Sequence, residues 1–153
     1  MGKLLLRVAI KFQNEKKLLF LCNRNVLAKG IYKLLIKQKE DAVLLIGNTT
    51  EWDMNARILV AGFKGGVGLN DPKLTMAIIA SDTKDVRQYE GRIRTTNNII
   101  YHFVDNYEPF ENHWNSCQKW YLAKGATIKI LGVKHKFPDK KTKSSFPQQE
   151  LLK

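Results

Sequence analysis

Cysteine and proline are scarce in this chain, acidic residues are outnumbered, and no long hydrophobic run occurs; each shortage removes a class of protein. Two cysteines, Cys22 and Cys117, lie far apart in apolar segments, so they read as buried thiols in a reducing compartment rather than a disulfide or metal pair. His102, His113 and His135 show no ligand spacing, no zinc set is completed, and no metal site is expected. Ser81 and Ser116 lack the elbow motif of a serine nucleophile. The start, Met1-Gly2-Lys3-Leu4-Leu5-Leu6-Arg7, has Leu6 where a myristoylation signal wants Ser or Thr, and its apolar run is too short for a secretory signal. With no stretch long enough to span a bilayer, the expectation is a soluble intracellular protein without a membrane partner. A phosphate-binding G-x-x-x-x-G-K-[ST] loop is missing too, and so is an Asp-Glu pair of the magnesium-holding kind after a strand.

What is present is a basic chain of one-domain size. Its 153 residues are 44% hydrophobic, enough for a real core, and 26 Lys+Arg against 14 Asp+Glu give a net charge of +12. A surplus of that sign suits a polyanionic partner, nucleic acid before an acidic protein or a membrane surface.

Short, largely apolar runs punctuate the chain at 18–22, 42–46, 57–61, 74–80 and 99–104, the pattern of parallel strands covered on both faces. Between the first two, Leu27, Ile31, Leu34, Leu35 and Gln38 keep helical spacing while Lys29, Lys33 and Lys37 form another face, with Asn23 or Asn25 as the expected cap. Further helices are expected near 85–94 and over 112–124. The latter carries Trp114, Cys117 and Tyr121 on one stripe and Gly125 as its stop. A last edge strand is expected at 126–133. Trp114 and Trp120 read as core, and Trp52 as the more exposed aromatic of a loop. Alternating strands and helices imply an α/β fold, a mainly parallel sheet with helices on both sides. Residues 1–15 read as an extension, 16–133 as the domain, and 134–153, with six lysines and two prolines, as a basic flexible tail.

Chemistry concentrates in two segments. After the third strand comes Gly62-Phe63-Lys64-Gly65-Gly66-Val67-Gly68-Leu69-Asn70, whose glycines let a phosphate or ribose approach the backbone and whose Lys64 adds charge. A strained turn would need the same glycines, so the loop alone says little. About twenty residues on stands Gln88-Tyr89-Glu90-Gly91-Arg92-Ile93-Arg94, where Gln88 and Arg92, four apart, share a helical face. Residues 62–70 and 82–85 both belong at the carboxyl ends of strands, where open parallel sheets bind ligands. The Lys29, Lys33 and Lys37 row fits a solvated helix face better than a backbone-gripping track.

Segments 18–22, 58–70 and 88–94 resemble, in order and spacing, motifs IV, V and VI of the C-terminal RecA-like lobe of superfamily 2 helicases, and most of all those of nucleocytoplasmic large DNA viruses of iridovirus type. The resemblance implies a three-layer αβα RecA-like domain of the kind found in P-loop NTPases, residing in host cytoplasm, nucleus or virion. It implies that Gln88 and Gly91, with Gly66, Gly68 and Asn70, face nucleotide, that Arg92 and Arg94 are candidates for the arginine finger, and that Lys64 and Gly62 meet nucleic acid; Lys29 and Lys33 join the nucleic-acid candidates on their charge alone. ATP and Mg²⁺ would be shared with a first lobe on another chain, because this one should not hydrolyse ATP alone. The sequence departs from many relatives in having Gly62 in place of Thr or Ser, and Thr95 where the last arginine would stand. The alternative reading is a basic adaptor or viral accessory module that binds nucleic acid or protein without catalysis.

Overall fold

A computed structural model describes residues 17–47, 51–62, 69, 71–87, 99–105 and 107–130. Five strands, β1 (Lys17–Leu21), β2 (Ala42–Leu45), β3 (Ile58–Ala61), β4 (Leu74–Ile79) and β5 (Ile99–His102), form one sheet in the order β2-β3-β1-β4-β5. Every pairing is parallel. Among the described residues two helices accompany them, α1 (Asn25–Lys37) and α2 (Glu108–Ala123).

The apolar runs specify this because they alternate. In β1, Leu18 and Phe20 enter a cluster with Ala28, Ile31 and Leu35 of α1, whereas Leu19 and Leu21 enter another with Cys117 and Tyr121 of α2. The same parity holds in β3, where Ile58 and Val60 face α1 and Leu59 and Ala61 face the α2 side. Helices therefore cover opposite faces of one sheet, the three-layer RecA-like arrangement. Both thiols are free and buried, one in each cluster. Burial pushes Cys22 up to about 12 and Cys117 up to about 11, so both remain thiols at neutral pH.

One irregularity breaks the alternation. Lys17 pairs with Leu74 but Leu18 with Met76, so β4 holds an extra residue at its start and Leu74 swings to the α2 side. Here, at the amino edge of the sheet, sit two ion pairs of low exposure. Lys17 bonds the Asp71 carboxylate and the Met54 carbonyl, and Arg57 bonds Glu40. Asp41 Oδ2 accepts the Arg57 backbone N–H at 3.0 Å. These contacts fasten the entries of β1, β3 and β4.

Several details differ from the sequence expectations. The residue before α1 is Arg24, with no side-chain cap, and Asn23 donates its amide to the Asp82 carbonyl at 3.1 Å instead. Leu34 and Gln38 lie outside the buried face of α1, which is carried by Ala28, Ile31 and Leu35. Helix α2 begins four residues earlier than 112, with a proline in its first turn, where the missing N–H costs nothing. It stops at Gly125 (φ +75°), as expected, where the Ala126 N–H bonds the Tyr121 carbonyl at 3.0 Å. Residues 126–130 are not a strand, so the described part of the expected edge strand is absent; residues 131–133 lie outside the described residues. Asp85 and Val86 precede helical geometry, which the described residues reach only at Arg87. Trp52 is partly buried against the α2-side cluster rather than exposed, because the segment before β3 folds over the sheet. The extension at 1–15 and the tail at 134–153 lie outside the described residues.

Candidate functional site

Because all strands run the same way, their carboxyl ends share one edge, and the segments after β1, β3 and β4 meet there. The β1 and β4 exits are tied together: Ser81 Oγ accepts the Asn23 backbone N–H at 2.8 Å, and Asp82 accepts the Asn23 side-chain amide through its carbonyl. Helix α2 closes over the β4 exit. His113 Nδ1–H donates to Asp82 Oδ2 at 2.7 Å, and the Cys117 thiol donates to the Thr83 carbonyl at 3.4 Å. Arg87 forks onto the Asp85 carboxylate through Nε and Nη2, which holds that carboxyl at about 2.

Gly62 follows β3 and meets the first residue of α1. A Cβ on it would stand 2.3 Å from Asn25 Oδ1 and 3.3 Å from Ile46 Cγ2, so the Asn25 carboxamide fills the room that a threonine or serine would need. Asn25 can rotate away, being the far end of a flexible side chain. Gly62→Ala should therefore lower unfolding free energy by only about 1 kcal/mol or less, and Asn25→Ala in the same chain should recover it in a urea-denaturation double-mutant cycle.

Beneath this edge, His102 at the end of β5 is enclosed by α2. Its Nδ1 lies 3.3 Å from the Tyr121 hydroxyl, and its ring meets Trp114 edge-on at 5.2 Å between centroids. Burial pushes its pKa down to about 4, against the opposing pull of Asp82. The folded pKa lies below the unfolded value, so neutral His102 contributes full stability above about pH 6.5, and that contribution is lost as pH falls towards 4. Up to about 3 kcal/mol is at stake. A urea midpoint that declines between pH 6.5 and 4 in the wild type, and less steeply in His102→Phe, is the expected result.

Of the residues that the sequence singles out, Gly62, Lys29 and Lys33 are described; Lys64, Gly66, Gly68, Asn70, Gln88, Gly91, Arg92 and Arg94 lie outside the described residues. The flanks of both segments are described, however. Leu69, from the glycine loop, and Val86, two residues before Gln88, are buried in the same apolar cluster, beside Cys117 and Tyr121 of α2. Lys29 and Lys33 stand exposed on α1, which runs back from the carboxyl edge. The described side chains at the β4 exit form a set satisfied among themselves, with Asp82 on His113 and Asp85 on Arg87. With two carboxylates among them, they do not by themselves make a phosphate cradle. Among the described residues no three His, Cys, Asp or Glu side chains gather as a metal group, and no helix is long and apolar enough to cross a membrane.

Sequence reasoning missed the Asp82–His113 and His102–Tyr121 pairs, since their partners lie 31 and 19 residues apart. The one available signal was that Asp82 follows a strand.

No described protein family matches the sequence, and neither does any curated protein. Solved structures do match in shape. The Pyrococcus furiosus Hef helicase domain superposes with a TM-score of 0.57 at 19% identity over 76% of this chain and 27% of that one. The C-terminal part of the Fun30 ATPase domain gives 0.59 at 19% identity, over 75% and 42%. The C-terminal domain of the DEAD-box protein Dbp5 gives 0.61 at 16% identity, over 81% and 78%. This chain thus spans about a quarter of the Hef chain and under half of the Fun30 chain, but most of the Dbp5 domain. At such identities the likeness establishes the fold alone, a three-layer α/β domain of RecA-like shape.

Proposed function

We propose that this chain is the second lobe of a superfamily 2 ATP-dependent helicase or translocase, supplying the glycine loop of motif V and the arginines of motif VI to a site completed by a first lobe. The observation that carries this reading is the shared burial of Leu69 and Val86. Gly62, where the glycine loop begins, and residues 80–87, which lead to Gln88, both leave the sheet at its carboxyl edge, and Leu69 and Val86 are buried in one cluster on the α2 face. Both segments then start from positions that allow them to reach one ligand.

ATP with Mg²⁺, held mainly by the first lobe, would supply the transferable phosphoryl group. On this chain, Gln88 and Gly91 would lie against the nucleotide, with Gly66, Gly68 and Asn70 carrying its state to the nucleic acid. Arg92 or Arg94 would offset negative charge. Lys64 and Gly62 would follow the backbone of the nucleic-acid strand. Kinship with the large DNA virus helicases rests on the wording of the two motifs. The superposed structures support only the broader class.

The test is a reconstitution. A first-lobe polypeptide bearing the phosphate loop and Asp-Glu motif is mixed with this chain, and ATP turnover is followed with and without single-stranded nucleic acid. Stimulated turnover that requires both proteins supports the proposal. Binding of nucleic acid with no turnover in any mixture would favour a non-catalytic adaptor.

A further inference from the structure

Helix α1 presents an outward face of which the nucleic-acid reading of the sequence takes only the lysines, Lys29 and Lys33, and leaves the apolar residues without a role. Val26 is 82% exposed and Leu34 42%, and Gly30 lies between them at four-residue spacing. Among the described residues, nothing lies within 4 Å of where a Gly30 Cβ would stand. A glycine in the middle of a helix weakens it, and here the fold gains no close packing in return. Beside this apolar row runs a second one, Lys29, Lys33 and Lys37, all exposed. At 100° per residue the two rows lie about 60° apart, and each is about 12 Å long.

We infer that this double row is a docking surface for an acidic amphipathic helix of a partner protein, its apolar ridge seated over Gly30 between Val26 and Leu34 and its carboxylates along the lysines. Charge complementarity selects that occupant. A second copy would bring +12 against +12 and set lysines opposite lysines. A nucleic-acid strand would use the lysines but leave Val26 and Leu34 against phosphate. The face offers no ring for a base, because Tyr32 is packed against the core. The notch at Gly30 suits the close approach of another helix, which a flexible polyanion does not need.

The experiment uses the full chain and a designed helical peptide of about three turns, with leucines on one row and glutamates on the next. Its binding is followed by fluorescence anisotropy beside that of a single-stranded oligonucleotide. Saturable peptide binding is expected. Val26→Lys with Leu34→Lys, which raises the positive charge, should weaken the peptide at least tenfold without weakening the oligonucleotide. Gly30→Leu should weaken it similarly while leaving the melting temperature unchanged or higher, which a purely structural role for Gly30 does not predict. Lys29→Glu with Lys33→Glu should also cost at least tenfold. The inference is overturned if the peptide fails to saturate, if the Val26 and Leu34 changes leave its affinity intact, or if the lysine changes abolish only oligonucleotide binding.

Discussion

Arg92→Ala, in a mixture with a complete first lobe, is expected to cut nucleic-acid-stimulated ATP turnover by about 10³-fold or more, the scale of an arginine finger. The physical reason is electrostatic. Charge builds on the γ-phosphoryl oxygens during transfer to water, and a guanidinium fixed against them in a dry cleft lowers the barrier without further reorganisation. Arg94→Ala divides the credit. Helical positions two apart are turned by about 200°, so under the helix expected from the sequence one substitution should remove most of the turnover and the other much less. The measurement is steady-state phosphate release at saturating ATP, with oligonucleotide affinity followed alongside. Equal and slight effects from both arginines would end the assignment of this segment to the nucleotide.

The second large effect concerns stability. Asp71 and Lys17 form an ion pair whose side chains are only 3% and 8% exposed, at the point where β4 bulges against β1. Asp71→Ala would leave the Lys17 ammonium buried without its carboxylate, and breaking such a pair costs about 3–5 kcal/mol. For a domain of this size that is a large part of total stability. Lys17→Met together with Asp71→Leu should recover much of the loss, because both desolvation penalties then vanish. The pair also sets an acid limit. Burial raises the Asp71 carboxyl, but bonds from Lys17 and the Lys73 backbone outweigh it and hold it below the usual carboxylate range. Its contribution is therefore present above the unfolded aspartate value and is lost as pH falls through the folded one. In urea titrations, the wild type should lose stability below about pH 4, and Asp71→Asn should lose less over that interval.

How far the sequence spoke depended on the range of the interaction. The five strands were legible because each is a short apolar run, and three-layer packing follows from parity alone, Leu18 and Phe20 to one helix, Leu19 and Leu21 to the other. Gly125 announced the end of α2, because a left-handed residue is a local demand. Capping misled, since Asn23, a good cap by type, finds a better partner in the Asp82 carbonyl, fifty-nine residues away. Trp52 misled for the same reason: local polarity suggested a loop in water, yet its ring packs on the cluster beneath α2. Motif order pointed to the glycine loop and to Gln88 and Arg92. It carried no hint of the Asp82–His113 pair or of the Asn25 carboxamide filling the space beside Gly62.

The strand at the middle of the sheet is the first of the five described along the chain. β1 hydrogen-bonds only to β3 and β4, so no neighbour in sequence can pair with it early, and its most apolar segment must wait for distant partners. Closing those loops costs entropy before any contact returns it, which makes assembly slow. During that wait Leu18, Leu19, Phe20 and Leu21 form a sticky, uncovered ribbon, open to aggregation until β4 arrives.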